Sequence, residues 1–112
     1  MVRNASKNDL LPGTLEMLIL QTLKRGAMHG YGIAQFIQSI SDDVLQVEEG
    51  SLYPALQRLL VKGWVKAEWG TSDNNRRARY YTLTSAGSRQ LGLESENFSR
   101  MIEAIARVMQ TA

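Results

Sequence analysis

Three arginines within four residues, Arg76, Arg77 and Arg79 in "DNNRRARYY", form the most concentrated charge in the chain. Guanidinium groups this close repel one another, and only Asp73 lies near enough in sequence to offset them. Such a cluster is costly on a bare loop. It becomes useful where it straddles phosphates or enters a minor groove. The chemistry it suggests is a grip on a polyanion.

A second set of groups lies in "EEGSLYPALQRLLVKGW", residues 48–64. Leu52, Leu56, Leu59 and Leu60 recur at helical spacing, at about 100° per residue. The opposite face of that helix carries Ser51, Pro54, Gln57, Arg58, Val61 and Lys62. Gln57 and Arg58 can hydrogen-bond base edges, Ser51 and Lys62 suit phosphates, and Val61 can touch a thymine methyl. An ordinary solvated helix face would carry similar residues, so this face gains its meaning from the arginine cluster. Gly50 or Ser51 is expected to cap the helix. With Ser51 as the cap, Pro54 falls in the first turn, where its missing N–H has no intrahelical partner to lose. The N-terminal N–H groups and the helix dipole can then receive a phosphate.

Other chemistries find little support. The single histidine, His29, precedes a glycine-rich "GYG" and has no cysteine to pair with, since the chain has none. No nucleophile–base set is recognisable, so an enzyme is not expected. Asp42, Asp43, Glu48 and Glu49 lack the spacing of a cation-binding loop and read as a solvated acidic linker. No metal or cofactor is expected. Trp64 and Trp69 read as hairpin packing.

These groups need elements to hold them. "LLPGTLEMLILQTLKRG" reads as a helix opened by Pro12 and closed by Gly26. Leu15, Leu18, Ile19, Thr22 and Leu23 form one face, while Met17 and Leu20 lie off it. Two apolar sides exceed the single stripe of a surface helix, which points to cover from a partner. After the joint "AMHGYG", Ile33, Phe36, Ile37 and Ile40 mark a second helix. "GWVKAEWG" and "RYYTLT" read as two strands joined by the polar "TSDNNRRA", a β-hairpin. Thr84 or Ser85 can cap a final helix of residues 85–110. There Leu91, Phe98 and Ile105, then Ile102 and Met109, then Met101 and Val108 stand seven apart, a short heptad-like stripe suited to a partner helix. Three helices, a hairpin and a long helix make a mainly α, α+β chain with the winged helix-turn-helix order.

Composition agrees. At 112 residues, 44% hydrophobic and 21% charged, the chain can bury a modest core and does not read as disordered. Net charge is only +2, yet residues 51–90 hold Arg58, Lys62, Lys66, Arg76, Arg77, Arg79 and Arg89 against Glu68 and Asp73. That imbalance implies a localised polyanion contact. Residues 1–9 are polar and expected to fray, with no apolar h-region, and no run is long enough to span a membrane. The expected compartment is the cytoplasm.

"GTLEMLILQTL", "HGYGIAQFI", "EEGSLYPALQRLLVKGWV" and "NRRARYYTLTSAGSRQL", in this order, resemble the PadR family of bacterial transcriptional regulators over nearly the whole chain. The resemblance implies a winged-helix repressor dimerising through its C-terminal helix, as in the compact subgroup. It implies that the helix near Ser51 is the recognition helix, with Tyr53 at the protein–DNA boundary. It puts Tyr31 near the DNA backbone and Arg76, Arg77 and Arg79 on the wing. Some family members stack planar drugs on a tryptophan of the last helix, and this chain has no tryptophan there.

Residues 1–84 are therefore expected to form the DNA-binding domain and residues 85–112 the dimerisation helix. The expected DNA contacts are Tyr31, Ser51, Tyr53, Gln57, Arg58, Lys62, Arg76, Arg77 and Arg79. Met17, Leu20, Leu91, Phe98, Met101, Ile102, Ile105, Val108 and Met109 are expected at the dimer contact. Together these describe a homodimeric repressor on a palindromic operator of double-stranded DNA. A small-molecule inducer between the subunits is compatible with it. The rival is a winged-helix protein-interaction module that binds no nucleic acid.

Overall fold

A computed structural model describes residues 13–112 of the chain. Pro12 and residues 1–9, for which a helix start and fraying were expected, lie outside the described residues. The first helix, α1 (Thr14–Leu23), begins behind Gly13, which adopts a left-handed φ of 86°. Ile19, Leu20 and Leu23 of α1 are buried against Ile33 and Ile37 of α2 (Gly30–Ile40) and Leu52, Leu56 and Leu59 of α3 (Glu49–Val61). Val65, Tyr81 and Leu91 complete this core. Leu20 and Leu91, expected at a dimer contact, are thus enclosed by the chain's own side chains. The second apolar side of α1 is covered from within.

The joint before α2 is more than a joint. Met28–His29 forms a short strand, β1, that pairs antiparallel with β3 (Arg77–Leu83), with Met28 opposite Tyr81 and His29 opposite Tyr80. The sheet therefore has three strands in the order β1–β3–β2, where β2 is Val65–Thr71. Two residues carry too little alternation to announce a strand, and only the partner across the sheet defines this one. His29 then caps α2: its Nδ1 accepts from the Gly32 N–H at 3.0 Å.

α3 is capped two or three residues earlier than expected. Glu48 is its N-cap, without a side-chain cap bond, and its carbonyl accepts from the N–H groups of Ser51 and Leu52. Ser51 is therefore inside the helix, and Pro54 sits in the second turn rather than the first. Its ring removes the bond that the Gly50 carbonyl would otherwise accept. Gly50 is exposed, so water can satisfy that oxygen.

The hairpin loop is also shorter than the sequence suggests. The register runs from Val65↔Leu83 to Thr71↔Arg77, leaving residues 72–76 as the turn. Ser72 and Arg76 close it by a backbone bond of 2.8 Å, and Asn75 takes the left-handed φ of 63° that asparagine tolerates. Arg76 lies in the turn, whereas Arg77 and Arg79 belong to β3.

The long helix α4 (Ser85–Met109) is capped by Thr84, whose Oγ1 accepts from the Gly87 N–H at 3.0 Å and donates to the Gly63 carbonyl at 2.7 Å. The Thr84 N–H donates to the Trp64 carbonyl at 3.1 Å. A Cβ on Gly87 would come within 2.0 Å of that same carbonyl oxygen, so only glycine permits this approach. Beyond Leu91 the helix leaves the core. Phe98, Met101, Ile102, Ile105, Val108 and Met109 are all exposed.

Candidate nucleic-acid interface

β3 alternates, so Arg77, Arg79 and Tyr81 share one face, while Ala78 and Tyr80 take the other. Across the ladder, Trp69 stands opposite Arg79 and Ala67 opposite Tyr81. The core-side face of the hairpin thus runs outward from Val65 and Tyr81, which are buried, to Trp69, Arg79 and Arg77, which are exposed. Arg77 lies 5.1 Å from the Trp69 ring centroid, and Arg79 lies 5.8 Å from that of Tyr81. These contacts support the guanidinium planes without neutralising them. None of the three wing arginines has a carboxylate partner among the described residues.

This face forms one wall of a cleft of about 630 Å³. The other wall comes from the start of α2, with Tyr31 and Gln35, and from Tyr53 on α3; Arg77 and Arg79 line it from β3, and Asp73 and Arg76 from the turn. Tyr31 is 65% exposed, and its hydroxyl oxygen accepts from Gln35 Nε2 at 3.0 Å. Tyr53 packs on Gly30 so closely that a Cβ there would meet its ring and hydroxyl at 2.9 Å. Burial, then the Glu49 carboxylate, then Tyr81 raise the Tyr53 hydroxyl above its usual pKa, so it stays a neutral donor at ordinary pH. The wing cations and the two tyrosines, over twenty positions apart in sequence, therefore meet in one concave surface.

α3 offers two unlike exposures. Ser51, Gln57 and Val61 are exposed, and Gln57 has no side-chain partner among the described residues. Arg58 and Lys62 are engaged instead. Arg58 Nε donates to Glu16 Oε2 at 2.5 Å, and Lys62 Nζ donates to Glu16 Oε1 at 3.3 Å. Lys62 also stands 4.7 Å from the Trp64 ring centroid.

Two residues of this region escape the sequence reading. Trp69 reads there as hairpin packing, although its alternation with Val65 and Ala67 already puts it on the core-side face. Glu16 precedes Ile19, Leu20 and Leu23 by three, four and seven positions, which marks an acid on the apolar stripe of α1. Among the described residues no cluster of His, Cys, Asp or Glu could hold a metal ion. No helix among them is long and apolar enough to cross a membrane.

A three-helix core, a β-hairpin beside its third helix and a cleft between them define a winged-helix protein. Residues 19–93 match the model of the PadR-like transcriptional regulator family, and the chain belongs to that family. It is similar to a transcriptional regulator from Clostridium thermocellum, with 27% identity, a TM-score of 0.77, and 85% of this chain and 89% of that one covered. It is also similar to a PadR family transcription regulator from Clostridium difficile, at 25% identity and a TM-score of 0.75 over 87% of this chain and 99% of that one. An uncharacterized protein of Lysinibacillus sphaericus is 28% identical over 93% of this chain and 95% of its own length.

Proposed function

We propose that this transcriptional regulator binds double-stranded DNA as a homodimer and acts as a repressor on a palindromic operator. The carrying observation is the convergence of Arg76, Arg77 and Arg79 with Tyr31 and Tyr53 on one cleft beside the exposed face of α3. In this reading Ser51 and Gln57 enter the major groove, with Gln57 reading a base edge. The phosphate backbone runs through the cleft, held by the wing arginines and the two tyrosine hydroxyls. Trp69 joins them, packing against sugar or supporting Arg77. Arg58 and Lys62 flank this surface from the C-terminal end of α3.

The exposed stripe of α4, from Phe98 to Met109, is read as the contact between two copies. Met17, which the chain itself largely buries, only borders this stripe. It lines a groove of about 210 Å³ with Phe98 and Met101 that a partner side chain could fill. The division into a DNA-binding part, residues 1–84, and a dimerisation helix, residues 85–112, is one of function. The first turns of α4 are packed into the core by Gly87 and Leu91. A DNA-binding repressor of this kind works in the cytoplasm, and no catalytic step is assigned to it. An inducer seated between the subunits would act by releasing the DNA.

The test is selection of bound duplexes from a random pool, followed by a gel shift of the recovered sequence over a range of salt. Recovery of a two-fold symmetric sequence bound by a dimer, with log affinity falling linearly in log salt, is the expected result. Failure to retain any duplex at low salt would remove the DNA-binding reading and leave a protein-interaction module in its place.

A further inference from the structure

We infer that Glu16 is a specificity-determining residue. It holds Arg58 and Lys62 against α1 and so keeps their charge out of sequence-independent attraction to DNA. The inference rests on the DNA-binding reading above.

Glu16 occupies the core stripe of α1, and its side chain is 11% exposed, whereas those of Arg58 and Lys62 are 54% and 44% exposed. A carboxylate in that position needs cations, because a buried charge without partners is strongly unfavourable. Arg58 and Lys62 lie one helical turn apart, so one carboxylate can use an oxygen for each. The bonds join positions 42 and 46 residues apart, so they tie the recognition helix to α1 rather than stabilise α3 locally.

The consequence is electrostatic. Two cations and one anion present a single net positive charge at this end of α3. A cation already paired within the protein displaces fewer condensed counterions from a duplex, and that displacement drives non-specific binding. Specificity is a ratio, so weaker binding to random DNA raises it even when no base contact is added. The wing arginines, with no carboxylate partner among the described residues, carry the sequence-independent grip. Glu16 limits what α3 adds to it.

The experiment compares the full chain and its Glu16→Gln variant by fluorescence anisotropy, on a random-sequence duplex and on the selected operator, across a salt series. Glutamine keeps the shape and an acceptor for Arg58 but removes the charge. The expected result is a steeper salt slope on random DNA, by about 0.9 per protomer for the one unit of net positive charge that the substitution adds, with a lower ratio of operator to random affinity. The same substitution made with Arg58→Gln and Lys62→Gln should leave the slope where those two changes put it. An unchanged slope in Glu16→Gln, with wild-type protein that binds and discriminates, overturns the role of Glu16 and leaves DNA binding standing. Wild-type protein that binds no duplex removes both. Should Glu16→Gln fail to fold, the wild-type Arg58 Nε–H resonance serves instead. It should stay protected from solvent exchange when random duplex is added, and loss of that protection overturns the inference.

Discussion

The wing and the C-terminal end of α3 hold the same kinds of side chain under opposite conditions. Arg77 and Arg79 rest on aromatic rings and have no carboxylate partner among the described residues, while Arg58 and Lys62 share one that is nearly buried. Along the sequence, all four belong to one basic segment. In the fold, one pair is free charge and the other is partly occupied in holding two helices together. Basic composition therefore locates a polyanion surface only coarsely. Which cations serve it depends on the acids that other elements bring alongside.

The contrast can be broken most directly at the wing. Replacing Arg77 and Arg79 together by alanine should weaken binding to every duplex. In a gel-shift series the salt slope should flatten by about 0.9 for each phosphate that the wing no longer neutralises. The melting temperature should hardly move, because neither residue supports the core. Arg77→Ala alone should do about half as much. Next in size, Gln57→Ala should cost about 1–3 kcal/mol of discrimination between operator and altered sites and leave random-duplex affinity nearly intact. Equal losses on both substrates would show that Gln57 reads no base.

Arg58→Ala should reverse the wing pattern. Stability should fall by about 1 kcal/mol in urea unfolding, a value kept small by the exposure of the guanidinium, since Glu16 retains only Lys62. A stability loss no larger than that of Arg77→Ala would erase the distinction between the two regions. The smallest effect concerns Tyr53. Its hydroxyl is raised above the ordinary value of 10.0 by burial first, then by Glu49 and Tyr81. The folded state then keeps the proton more firmly than the unfolded chain. Stability should be flat below that value and decline as pH climbs past it. Tyr53→Phe should remove this alkaline decline in a pH series of thermal unfolding.

The parts of this molecule that are legible in the sequence are those set by local periodicity. Leu52, Leu56 and Leu59 announce α3 by spacing alone, Val65 and Ala67 announce β2, and the arginines announce a cationic edge. The hidden parts depend on partners distant in the chain. β1 exists because Tyr80 and Tyr81 lie across from it. Leu20 and Leu91 look like spare apolar surface because the wheel of one helix cannot show what covers its second side. Arg58 looks free because Glu16 precedes it by 42 residues. The cap of α3 is misplaced for a subtler reason. The backbone carbonyl of Glu48, rather than a side-chain cap, does what a serine hydroxyl was expected to do.

The seam between Gly87 and the Trp64 carbonyl seats the first turn of the long helix directly on the body. In the proposed dimer each α4 would then act as a fixed strut, and the separation and relative bearing of the two reading heads would be cast into the assembly. One base pair inserted at the centre of the operator rotates one half of it by about a tenth of a turn against the other. A rigid caliper has no way to follow that rotation. Spacing, as much as letter order, would decide which stretches of a genome this protein can hold.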